Sequence, residues 1–136
     1  EVSPMFATAG VSLRMQKGDA QATVLGDRFL VGQALRNLLQ NALDFSSLGS
    51  IVTVALEVDG ESIRCNVRDH GAGIPEFARE RLFERFYSLP RPGGASRSSG
   101  LGLCFVREVT QLHGGSIDLA NADGGGALAC LRLPHA

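Results

Sequence analysis

The sequence predicts an α+β fold: a two-layer α/β sandwich whose mixed, mostly antiparallel sheet carries helices packed on one face. Three observations predict it. Alternating apolar and polar segments cluster toward both ends of the chain, helical patterns fill the middle, and two pairs of alternating segments are joined by tight turns. The 136 residues are enough for one core. At 44% hydrophobic and 20% charged, the composition is that of an ordinary globular domain.

The elements follow in chain order. Residues 1–10 are loosely patterned and read as a linker, leaving 11–136 for the domain. "VSLRM" (11–15) alternates as a strand, "QKGD" (16–19) reads as a turn, and "ATVLG" (22–26) as a second short strand. Asp27 occupies the N-cap position of a helix running to about Phe45. On it Val31, Leu35, Leu38, Ala42 and Phe45 form an apolar stripe. Gln33, Asn37, Asn41 and Asp44 gather on another face. "IVTVALEV" (51–58) and "SIRCNVRD" (62–69) make a hairpin across "DGE". A short helix is expected over about 76–86, a Gly/Ser/Pro/Arg-rich loop over 88–100, and a helix over about 101–113 capped by Gly114 and Gly115. "SIDLAN" (116–121) and "ALACLRLP" (127–134) close the chain as a second hairpin.

Composition excludes several functions. A net charge of −1 without a basic cluster argues against nucleic acid as partner. Cys65, Cys104 and Cys130 are scattered, with no CxxC pair for zinc or redox chemistry, and read as reduced core thiols of a cytosolic compartment. No apolar run approaches the roughly 20 residues of a membrane span, and no signal peptide is visible. The start at Glu1 suggests a piece of something longer.

Three separated segments carry chemistry. The helix face Asn37/Asn41/Asp44 offers hard amide oxygens suited to Mg²⁺, although an Asn pair on a helix is usually a solvated face. "DHGAGIP" (69–75) sets a carboxylate at a strand end before Gly71 and Gly73. Its glycines let backbone approach a flat ligand, and Asp69 can accept from an exocyclic amine that adenine has and guanine lacks there. On its own this is a turn after a strand. "SSGLGL" (98–103) runs into a helix whose N-terminus suits an anion, with Arg97 and Arg91 before it; alone it is a loop and a helix start. Together the three make a complete Mg–ATP site.

In that order the segments resemble the catalytic ATP-binding domain of bacterial sensor histidine kinases, the Bergerat-type fold shared with gyrase, Hsp90 and MutL. "NLLQNALDFS" is similar to the N box, "RDHGAGIP" to the G1 box, "LFERFYS" to the F box, and "SSGLGLCFVREVTQLHGG" to the G2 box. The likeness covers about residues 11–134 and looks closest to the CreC-type kinases. It implies that Asn41 ligates Mg²⁺ with Asn37 beside it, and that Asp69 reads the adenine amine. Gly71, Gly73 and Ile74 would shape the base pocket, with Phe45 packing near it. Ser99, Gly100, Leu101, Gly102 and Leu103 would serve the phosphate side. Phe83 and Phe86 would anchor a lid over 87–99, from which Arg97, with Arg85 at the lid's root, would contact phosphate. Residues 1–10 would be residual linker from upstream dimerisation helices.

Two residues depart from the family pattern. Asp44 stands where many members have Lys or Arg, and Ser98 where Gly is usual. Asn37 stands where hydrolysing relatives carry Glu; an amide cannot take a proton from water, whereas an imidazole nitrogen attacks with its own lone pair. This favours histidine phosphorylation. None of His70, His113 or His135 has the His-Glu-x-x-[Ser/Thr]-Pro surroundings of the acceptor. The acceptor is therefore expected on separate dimerisation helices of the parent, which then serve a response regulator. The domain itself is expected to be monomeric and cytoplasmic, in a parent anchored in the inner membrane. The rival readings are a degenerate nucleotide-binding regulatory module and an anti-sigma-type serine kinase.

Overall fold

The alternating segments pair into one five-stranded sheet, ordered β1-β2-β3-β5-β4, in a computed structural model that describes residues 10–17, 26–46, 49–79, 81–84 and 102–134. The strands are β1 (Ser12–Lys17), β2 (Ile51–Asp59), β3 (Ser62–Arg68), β4 (Ser116–Asn121) and β5 (Ala127–Pro134). β1 runs parallel to β2 and the remaining pairs are antiparallel. A parallel pair needs a crossover, and α1 (Arg28–Asp44) lies in it. Gly60, at a φ of 63°, turns the β2–β3 hairpin.

One face of the sheet is buried, because period-2 alternation sends Val52, Val54, Ile63, Cys65, Val67, Ala129, Leu131 and Leu133 inward. All of these but Ile63 meet Ala34, Leu38 and Ala42 of α1, and Val106 and Val109 of α2 (Gly102–Leu112), in one apolar cluster. The stripe on α1 is therefore rotated from the one expected. Ala34 and Leu38 are its most buried residues, while Val31 and Leu35 pack only partly. Small alanines at the contact let a helix approach its neighbours closely, and the larger side chains flank it. Cys65 and Cys104 are buried as free thiols, and burial pushes the Cys65 thiol up to about 11 with Cys130 adding to it.

The helix ends are well specified. The Asp27 carboxylate accepts the Leu30 N–H at 3.0 Å as N-cap of α1. α2 ends with Gly114 at a φ of 74°; Gly114 N–H donates to Gln111 and Gly115 N–H to Thr110, a Schellman closure. His113, just before it, donates from Nδ1 to the Val109 carbonyl at 2.8 Å and accepts the Asp27 N–H at Nε2 at 3.0 Å. One imidazole thus ties the end of α2 to the start of α1.

Two expectations fail. "QKGD" is not wholly a turn: Gln16 and Lys17 continue β1, because the parallel ladder extends to Gln16↔Ala55 and Lys17↔Leu56. Of the helix expected over 76–86, the described residues form a single 3-10 turn, Glu76–Ala78, and turns at 79 and 81–84; residues 80, 85 and 86 lie outside the described residues. Its bonds span three residues, Ala78 to Pro75, Arg79 to Glu76 and Arg81 to Ala78. Among the described residues of this stretch only Ala78 and Leu82 are buried while Phe77 stays exposed, too short an apolar face to hold an α-helix. Of the strand expected over 22–26, residues 22–25 lie outside the described residues and Gly26 is a bend before α1; the loop over 88–100 also lies outside them. No helix among the described residues is long and apolar enough to cross a membrane.

Candidate nucleotide site

Asp69 is the residue from which the site is best built. It follows Ile63, Cys65 and Val67 at the next inward position of the β3 alternation, so the strand itself carries a carboxylate into the core. Asp69 and Thr110 are the buried polar residues among those described, Asp69 at 5% exposure. Its Oδ1 accepts two backbone N–H groups, from Gly71 at 2.9 Å and Ala127 at 3.2 Å. Burial pushes its carboxyl above the usual carboxylate range, against the lowering effect of those two bonds and of His70 and Arg68 nearby.

The loop after Asp69 is shaped by what crowds it. A Cβ at Gly71 would collide with the Phe45 carbonyl oxygen, so the loop lies directly on the C-terminal end of α1. Gly73, at a φ of 86°, sits where a Cβ would be 2.7 Å from Asn121 Oδ1. Ile74 is buried, and its N–H and C=O are both taken by the Asn121 amide, at 2.6 and 3.0 Å.

The polar face of α1 is half-buried and less fully bonded. Gln33 donates to Asn37 at 3.1 Å, and Asn37 donates to the Gly102 carbonyl at 3.4 Å, linking mid-α1 to the first residue of α2. Gln40 donates to Asp44 at 2.8 Å. The Asn41 amide has no hydrogen-bond partner among the described residues. Leu103 and Phe83 pack against the core. Ser98, Ser99, Gly100 and Leu101, the lid over 87–99 with Arg97, and Arg85 and Phe86 at its root lie outside the described residues.

Of the residues singled out by sequence, contacts join Phe45 with Gly71, Gly71 with Asp69, and Asn37 with Gly102. A separate groove of about 740 Å³ runs along the first half of α1, past Phe29, Gly32, Leu35 and Arg36, and includes neither Asp69 nor Asn41. Sequence reasoning placed the closing hairpin but gave it no part in the site: Asn121, Gly126 and Ala127 hold the Asp69 loop. A Cβ at Gly126 would strike the Asp69 carbonyl, and Arg68 donates to the Asp123 carbonyl in the same turn at 2.6 Å. The one local signal for this was the glycine run in "ADGGG".

Residues 26–136 match the family described as histidine kinase-, DNA gyrase B-, and HSP90-like ATPases. The chain belongs to that family. Within this ATP-binding family it is similar to Sensor protein CreC of Escherichia coli (strain K12), 50% identical over 113 residues, which are 83% of this chain and 24% of that protein. The chain thus spans between a tenth and less than a third of the length of the curated relatives it matches. Among solved structures it resembles the mycobacterial sensor histidine kinase MprB, with a TM-score of 0.83 at 29% identity, covering 98% of this chain and 89% of that one. It also resembles full-length ShkA, solved in complex with AMPPNP, with a TM-score of 0.82 at 28% identity, covering 99% of this chain and 28% of that one.

Proposed function

We propose that this chain is the catalytic ATP-binding domain of a sensor histidine kinase. It would present the γ-phosphoryl group of ATP to a histidine on a separate dimerisation domain of the parent. The observation that carries the reading is Asp69: a buried carboxylate with Oδ1 anchored by two backbone N–H groups, beside a glycine that rests on the end of the Asn-bearing helix. Such a group can accept the adenine amine without reorganising. Gly71, Gly73 and Ile74 would floor the base pocket with Phe45 at its side. Ser99, Gly100, Leu101, Gly102 and Leu103 would line the phosphate end, with Arg85 and Arg97 as charge partners.

The donors present fit Mg²⁺ held mostly by phosphate and water. No group of three or more His, Cys, Asp or Glu among the described residues could cage a metal, and Asn41 offers a single half-buried amide oxygen. Asn41 would hold the ion with Asn37 beside it, and Asp44 would lie at the same end of the site. When bound, the ion neutralises charge on the phosphates. The chain's own part is to position ATP and keep it in line. The acceptor imidazole forms the new N–P bond, the bond from γ-phosphorus to the bridging oxygen breaks, and ADP leaves with the electron pair. Asn37 supplies no base for water.

In the parent, the phosphoryl group would then pass from the histidine to a response regulator. The domain would act as a monomer on the cytoplasmic side of a membrane-anchored kinase. The test mixes the chain, the parent's dimerisation helices and γ-labelled ATP. Acid-labile label on the helices is expected. Nucleotide binding without transfer would replace this reading with a regulatory module, and acid-stable label with a serine kinase.

A further inference from the structure

The two ends of the Asp69–Ile74 loop hang from two residues that face each other across one rung of the sheet. Asn121 and Ala127 are partners in the β4–β5 register. Ala127 holds the first end: its carbonyl accepts the Asp69 N–H at 3.0 Å and its N–H donates to the Asp69 carboxylate. Asn121 holds the other end, accepting from Ile74 N–H at 2.6 Å and donating to Ile74 C=O at 3.0 Å. Asn121 is exposed as a residue, so burial does not explain its side-chain placement; the paired bonds do.

Between the anchors lie His70, Gly71, Ala72 and Gly73, the backbone on which a base would rest. Gly73 is pressed so closely by Asn121 Oδ1 that the amide also limits where the loop can travel. We infer that Asn121 is a positioning residue for the nucleotide base, acting through Gly73 and Ile74 to keep the loop at the distance at which Asp69 reads adenine. The inference rests on the ATP-binding reading above. It adds a determinant of base selectivity that lies on the closing hairpin, 47 residues from the loop end it holds.

The test is the Kd of ATP, GTP and inorganic tripolyphosphate for the wild-type chain, Asn121→Ala and Asn121→Asp, with thermal melts of each. Losing both bonds to Ile74 should weaken ATP about tenfold in Asn121→Ala. Tripolyphosphate should bind all three proteins alike, and the preference for ATP over GTP should shrink. Asn121→Asp keeps the size and the acceptor for Ile74 N–H but loses the donor to Ile74 C=O. It should fold and fall between the other two, which covers the case of an unstable alanine variant. A purely structural role would lower the melting temperature and leave the ATP-to-GTP ratio unchanged. That result, or a wild-type ATP Kd in folded Asn121→Asp, overturns the inference while leaving the ATP site standing. Failure of the wild-type chain to bind ATP overturns both.

Discussion

The two ends of the candidate site are built by different means. At the base end nearly every constraint is a backbone bond or a backbone contact. Asp69 Oδ1 takes two N–H groups, Gly71 lies on the Phe45 carbonyl, and Ile74 has both main-chain groups satisfied. At the helix end the constraints are side chain to side chain, as in Gln33 to Asn37 and Gln40 to Asp44, or long, as in Asn37 to Gly102 at 3.4 Å. Backbone-held groups keep their place without a ligand, so the base end is preformed. Amides on a helix face keep rotamer freedom and are organised by what they bind. Recognition of the base would then belong to the resting protein, and placement of the phosphates to the complex.

The hardest blow to this contrast is Asp69→Asn. Its Oδ1 can still accept from Gly71 and Ala127, so the apo fold should survive, while the carboxylate proposed to take the adenine amine is gone. ATP binding should fall by about two orders of magnitude, since a site built to bond one polar group tolerates its mismatch poorly; titration calorimetry with melts separates the two effects. The same variant carries a pH signature. The Asp69 carboxyl is raised on folding, so its contribution to stability is complete below the usual carboxylate range and is lost as pH rises through the raised value. Melting temperature against pH should be flatter by that amount in Asp69→Asn.

Next comes Gly71→Ala, which drives a Cβ into the Phe45 carbonyl. A forced backbone shift of this kind should cost about 1–3 kcal/mol and lower the melting temperature by several degrees. If the base end is as rigid as argued, ATP affinity falls with it; an unchanged melt would show that the loop yields easily. The smallest effect is expected from Asn41→Ala. Its amide has no partner among the described residues, so stability should hold within about 0.5 kcal/mol. ATP affinity in the presence of Mg²⁺ should drop about tenfold, the scale of one ligand or charge-assisted bond, with little change when the ion is chelated. A large loss of stability would place Asn41 in the fold rather than in the site.

Most of the fold was legible because its signals are local. Asp27 is an N-cap, Gly114 takes a left-handed turn, and the alternation in 51–68 and 116–134 reports strands directly. Asp69 was legible as a carboxylate at a strand end, and its burial follows from strand parity alone. What was not legible depends on distant partners. The turn at Glu76–Ala78 looked helical because "FARERLFERF" has the composition of a helix, yet among its described residues only Ala78 and Leu82 are buried, with Phe83 packed against them in part. The rotation of α1 toward Ala34 depends on how closely α2 and the sheet approach. Asn121 reads as an ordinary strand-end residue until β4 is seen beside the loop.

The tip of a hairpin is usually where a chain tolerates a residue more or a residue fewer. In this domain residues 122–126 are an exception, because the strands they join set the spacing between two loop anchors. One inserted residue could leave the sheet intact by slipping the pairing, yet a one-step slip turns alternate side chains to opposite faces, and the anchors would no longer stand together. Length variation among relatives should therefore be scarcer at this tip than at the β2–β3 turn, which among the described residues anchors no loop.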